Sequence, residues 1–135
     1  MNSHRPFGIL AFLLAPAFAI AQLVVDPMTL PCSPDSARVQ VTPLFSDSLG
    51  SSFHICIPHE VRPHFHRYHT EHVLVLEGEG SMLLGDSAFR IAAGRMIIIP
   101  KGTPHAVRTI SKFPLRVISV QSPFFDGSDR IMIDP

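Results

Sequence analysis

From Arg38 onward, apolar and polar residues alternate with a period of two. Arg38-Val39-Gln40-Val41-Thr42 and Phe53-His54-Ile55-Cys56-Ile57 each gather their apolar side chains on one face, as half-buried strands do. His72–Leu76 and Ser81–Leu84 repeat the pattern around Glu77-Gly78-Glu79-Gly80. Gly85-Asp86-Ser87 then separates Ser81–Leu84 from Ala88–Ile91, a hairpin signal. Met96–Ile99 reads as a short buried run that stops at Pro100, and Pro104–Thr109 and Leu115–Gln121 complete the series. Eight or more short strands are predicted, and nothing after the N-terminal segment holds a helical period over 12 residues. Thirteen prolines add to the case against a helical bundle, so the expected class is an all-β sandwich or barrel.

The segments before the strands differ in kind. Met1–Arg5 is short and positive, Pro6–Ala21 is uncharged and mostly apolar, and it closes on Ala19-Ile20-Ala21. That order predicts a secretory signal, residues 1–21, cut after Ala21, and a periplasmic or secreted protein. The competing reading is an uncleaved anchor, because Pro6–Val25 supplies 20 uncharged residues; Pro16 and Gln22 speak against it. Residues 22–36 carry Pro27, Pro31 and Pro34 and are expected to form an extended arm ahead of a barrel over 37–135. Export permits a disulfide, and with two cysteines the only pairing is Cys32 with Cys56.

At 135 residues the chain has room for one domain. Its 11 basic and 11 acidic residues cancel, which gives no basic face for nucleic acid. No membrane contact is expected once the signal is removed. Histidine is the unusual count: of eight, His54, His59, His64, His66, His69 and His72 fall within 19 residues. His64-Phe65-His66 sets two imidazoles on one face of a strand, and Glu71 brings a carboxylate soon after. Such a set, turned toward one interior, can hold a divalent metal and leave positions open. His72 is out of phase with Glu71 and should face away. No general base beyond this set is evident, and Tyr68 and His69, in the turn, are the candidates nearest in sequence for proton transfer. The chain shows no nucleophilic triad and no glycine-rich phosphate loop.

His64, His66, Glu71 and Gly78, followed by Gly94, Pro100, Gly102 and His105, resemble the two motifs of a small single-domain cupin. Pro58 stands where the first motif usually opens with glycine, and Thr109 where the second usually ends with asparagine. The resemblance implies a double-stranded β-helix, or jelly-roll barrel, with His64, His66, Glu71 and His105 converging on Mn, Fe, Ni or Zn. It also implies a small-molecule ligand or substrate and a homodimer. The family's reactions span dioxygenases, decarboxylases, isomerases and lyases, so fold does not select among them. A metal- or ligand-binding module without turnover and a purely structural dimeric barrel are the other expectations. Phe124 and Phe125 are expected to pack across the barrel.

Overall fold

Ten strands succeed one another in the computed structural model, which describes residues 24–133. They are β1 (Gln40–Asp47), β2 (Gly50–Ile57), β3 (Glu60–Phe65), β4 (Thr70–Glu77) and β5 (Glu79–Leu84), then β6 (Ser87–Ala92), β7 (Met96–Ile99), β8 (His105–Thr109), β9 (Leu115–Ser122) and β10 (Ile131–Met132). The expected signal segment, 1–21, lies outside the described residues. Among those described, no helix is long and apolar enough to cross a membrane.

The strands form two antiparallel five-stranded sheets, ordered β1-β2-β9-β4-β7 and β10-β3-β8-β5-β6. Alternation along each strand sends one set of side chains between the sheets. Ile57, Val75, Ile97, Ile99, Leu115 and Val117 from the first sheet meet Met82 and Ile91 from the second. This is the all-β jelly roll that the period-two pattern and the paired motifs predict. Burial is graded along it. In β9 the inward residues run Leu115, Val117, Ser119, Gln121, from hydrocarbon to polar, and β4 runs the opposite way from Glu71 to Val75. One end of the interior is therefore an apolar plug and the other is polar.

Two expectations change. Met96–Ile99 is not a buried run: Ile97 and Ile99 are buried, but Met96 and Ile98 are 56% and 57% exposed. Met96 and Ile98 stand on the outer face of the first sheet, as do Val120 of β9 and His72 of β4, and that face is turned to solvent. The arm, described from residue 24, is not uniformly extended; Pro27–Thr29 forms a single 3-10 turn. Pro27 presets the backbone, and the Asp26 carboxylate accepts the Met28 N–H at 2.9 Å. The arm lies against the first sheet through polar contacts. Arg116 donates to the carbonyls of Met28 and Leu30 at 3.0 and 3.4 Å, Gln40 donates to the Ser33 carbonyl, and Cys32 is joined to Cys56.

The residues that depart from the resembled motifs meet each other. Thr109 donates its hydroxyl to the Ile57 carbonyl at 2.7 Å and its N–H to the His59 carbonyl at 2.7 Å. It thereby fastens the turn around Pro58, which has no N–H of its own. Gly78 is required by space and conformation together: its φ is +84°, and a Cβ there would stand 2.8 Å from the Pro114 carbonyl.

Candidate metal centre

Three short stretches deliver the polar end of the barrel. β3 ends on His64-Phe65, and His66 follows at once. β8 opens on His105, which is the direct register partner of His64. The turn before β8 is drawn onto the same place, because Gly102, at φ +78°, donates its N–H to the His66 carbonyl at 2.6 Å. Glu71, near the start of β4, enters from the opposite sheet. All four side chains are buried, although all are polar.

Each imidazole is tied at one nitrogen to a main-chain carbonyl. His64 Nδ1 meets the Arg62 carbonyl at 2.8 Å, His66 Nδ1 the Asp129 carbonyl at 2.7 Å, and His105 Nδ1 the Thr103 carbonyl at 3.0 Å. A carbonyl only accepts, so Nδ1 must carry the proton, and the neutral ring then presents an Nε2 lone pair. The three rings offer nitrogens that all lie within 4.8 Å of one another. His66 Nε2 and His105 Nε2 are buried and have no hydrogen-bond partner. Glu71 Oε2 stands 3.4 Å from each of these two nitrogens, while Oε1 accepts from Ser119. Glu71 falls outside the set in which every ligand atom is within 4.8 Å of the rest. Its place is thus beside two of the three histidines. Lone pairs and a carboxylate facing one another in a buried space repel, and a cation or a proton between them removes the repulsion.

The ionisation of the residues follows from the same geometry. Burial pushes His64 down to about 4, with nearby His105 adding to the effect and the bond to the Arg62 carbonyl opposing it. Burial also works to lower His66, but the Glu71 carboxylate and the Asp129 carbonyl outweigh it and raise its pKa. Glu71 is held well below the usual carboxylate range: burial acts to raise it, and the neighbouring His105 and His66 rings and the Ser119 hydroxyl prevail.

The remaining candidates sit elsewhere. Tyr68 is 66% exposed on the crest of the β3–β4 turn, and the Arg67 guanidinium lies 6.0 Å from its ring centre. His69 is buried, but both ring nitrogens are engaged, Nδ1 with Asp129 Oδ2 at 2.6 Å and Nε2 with the Phe124 carbonyl at 2.8 Å. Neither lines the cavity beside the histidines. His72 is exposed, as its phase requires. His54 is fully buried on the face of β2 opposite Phe53 and Ile55, and burial, then Arg116, lowers its pKa.

The C-terminal tail supplies what strand patterns do not show. Asp129 accepts from the backbone N–H groups of Arg67 and Tyr68 at 3.0 and 2.8 Å and from His69, while its own carbonyl receives His66. Burial acts to raise its pKa, but His69 and the two N–H groups draw it down to about 2. Phe125 packs edge-on against His66, its ring centre 5.2 Å away, and against His69 at 5.0 Å. It therefore packs as expected and also lines the cavity, whereas Phe124 is half exposed. Ser119 and Gln121 could be found from the polar switch on the inner face of β9. Asp129 and Arg130 have no such signal, since the tail reaches the centre across some 60 residues of chain.

Asp129→Ala is expected to weaken binding of a divalent ion by about 10–100-fold, the range for residues that orient a ligand. The substitution frees the tail, so the carbonyl that fixes the His66 ring is lost with it. A metal titration checks the affinity and limited proteolysis checks the tail. Asp129→Asn, which keeps an acceptor, should recover part of both.

Residues 53–121 match the family model described as Cupin domain. An uncharacterized protein of Methanocaldococcus jannaschii is 30% identical over 71 residues, which are 51% of this chain and 57% of that protein. Mannose-1-phosphate guanylyltransferase 2 of Escherichia coli is 35% identical over 72 residues, 53% of this chain and 14% of that enzyme. The chain thus spans little more than half of the first relative and a small part of the second. An uncharacterized conserved protein of Klebsiella pneumoniae with a double-stranded β-helix domain superposes with a TM-score of 0.71 at 16% identity, covering 83% of this chain and 97% of that one.

Proposed function

The chain belongs to the cupin domain family, and from that premise we propose that it holds a divalent metal through His64, His66 and His105, with Glu71 completing the set, and acts there on a small oxygen-bearing organic molecule. The observation that carries this reading is the common tautomer of the three rings. Each Nδ1 is spent on a main-chain carbonyl, and two of the Nε2 atoms are buried without a partner. Three nitrogens and an oxygen suit Mn, Fe, Ni or Zn. A bound ion supplies Lewis-acid polarisation of an oxygen ligand and, if redox-active, one-electron chemistry. The protein's share is orientation. Ser119 holds Glu71 Oε1 so that Oε2 faces the ring nitrogens, Asp129 and Phe125 hold His66, and hydrocarbon walls exclude water.

A binding module without turnover is the second reading, and one observation favours it. Neither Tyr68 nor His69 reaches the cavity, which among the described residues leaves no free acid or base there beyond the ligand set. Two further proposals accompany either reading. Export is supported by the Cys32–Cys56 disulfide, a bond that persists in oxidising compartments. A homodimer is supported by Met96, Ile98 and Val120, exposed together on the outer face of one sheet.

Metal content tests the reading. Protein purified without a metal-affinity tag and supplemented with Mn, Fe, Ni or Zn is expected to retain about one ion per chain, and less than about 0.2 contradicts it. Binding should strengthen by about tenfold per pH unit while one proton is displaced from His66. The sign follows from the raised His66 pKa: the proton competes with the ion below that pKa, and above it the dependence flattens. Oxygen uptake or product formation with enol and catechol compounds selects the enzyme, and silence across them selects the binding module.

A further inference from the structure

The centre opens on a cavity of about 160 Å³ whose walls are almost entirely hydrocarbon. Phe53, Ile55, Val117 and Phe125 are among them. An apolar cavity of about 150 Å³ takes one benzene ring, which sets the scale of the guest. A sugar or other polyol would leave most of its hydroxyls facing hydrocarbon with no partner, and that is unfavourable.

Beyond the four residues of the centre, two polar side chains line this space, Gln121 and Arg130. Gln121 is the register partner of Glu71 across β9 and β4, so its amide stands on the same inner face. It is 5% exposed, and its Oε1 is buried with no hydrogen-bond partner. A buried amide oxygen in that state is an acceptor waiting for a donor. Arg130 lines the cavity yet remains solvent-exposed, which puts it at the mouth. Among the described residues, no carboxylate lies within ion-pair distance of its guanidinium. Three neutral imidazoles, one carboxylate and a divalent ion carry a net charge of +1, and Arg130 adds to it. The charge calls for an anion and the walls for a ring.

We propose that the cavity takes a one-ring organic acid, its carboxylate held between the histidine centre and Arg130, its apolar ring against Phe125 and Ile55, and a ring hydroxyl donating to Gln121. This rests on the metal-centre reading and narrows it. The small oxygen-bearing molecule becomes one with a single oxygen-bearing edge.

Calorimetric titration of the metal-loaded and the metal-free protein with 2-hydroxybenzoate, benzoate and glucuronate tests it. The aromatic acids should bind the metal-loaded form one to one and the metal-free form, which lacks the ion's charge, more weakly, in both cases at least about tenfold more tightly than glucuronate, because only they match the walls. Arg130→Gln should weaken both aromatic acids by about tenfold, the scale of one charge-assisted bond. Gln121→Leu should weaken 2-hydroxybenzoate by about fivefold and leave benzoate nearly unchanged, the scale of one neutral hydrogen bond. Glucuronate binding as well as benzoate, or an Arg130→Gln variant equal to the parent, overturns the inference. Absence of metal binding is a separate failure, of the centre itself, and the ranking of acids by the metal-free protein still decides the inference.

Discussion

His66→Ala should bind a divalent ion more than about a hundredfold more weakly than the parent, a loss beyond the 10–100-fold typical of residues that only orient a ligand. It should do so while keeping its β-sheet circular dichroism. The ring of His66 has no structural bond that the barrel depends on. Its Nδ1 serves the Asp129 carbonyl, its Nε2 has no partner, and the tail remains held by the Asp129 carboxylate on Arg67, Tyr68 and His69. Removing the ring also relieves the contact with Glu71 Oε2 at 3.4 Å. A His105→Ala variant should behave in the same way. His72→Ala is the matched comparison, a histidine from the same stretch that faces solvent, and it should bind the ion like the parent. Equal affinity in the parent and His66→Ala would show that the ion is held elsewhere.

Cys32→Ser is expected to lower the melting temperature by about 10–20 °C without changing metal affinity. The bridge spans 24 residues, and closing a loop of that size stabilises by about 3–4 kcal/mol through the unfolded chain. In a domain of this length each kcal/mol corresponds to roughly 3–5 °C. The arm has little else to anchor it, since Val24, Val25 and Met28 are 81%, 48% and 44% exposed. Its polar contacts to Arg116 and Gln40 exchange readily with water, so the variant should also be cut within residues 24–36 by added protease. Cys56 points to the face of β2 opposite Ile55 and Ile57, which line the cavity, and that separation is why metal affinity should hold. Thermal unfolding of the two proteins, with and without reductant, measures the difference.

What was legible in the chain depended on whether a local rule governed it. His64 and His66 share a face because strand side chains alternate, whereas His105 joins them only through the resemblance of its segment to the second cupin motif. Glu71 was placed by the same logic, although it reaches only two of the three histidines closely. β3 was harder to read, because Arg62 and Pro63 interrupt its alternation just before the histidines. Met96–Ile99 shows how an apolar run hides which of its alternating residues face solvent, since that depends on which layers the fold puts against each face. Asp129 and Arg130 obey no motif. The tail returns to β3 from far along the chain, pairing Ile131 with Phe65, and nothing in the local pattern announces the return. The proposed guest's carboxylate partner belongs to this hidden part, because Arg130 stands at the mouth.

In the proposed centre three neutral imidazoles, protonated at Nδ1, present Nε2 to one ion. Long-range proton–nitrogen NMR on nitrogen-labelled protein, recorded before and after one equivalent of zinc, tests it most directly. Nε2 of His64, His66 and His105 should shift together to the position of a metal-bound nitrogen, while each Nδ1 keeps its proton. Zinc bound through Nδ1, or with any of the three rings unmoved, would contradict the account.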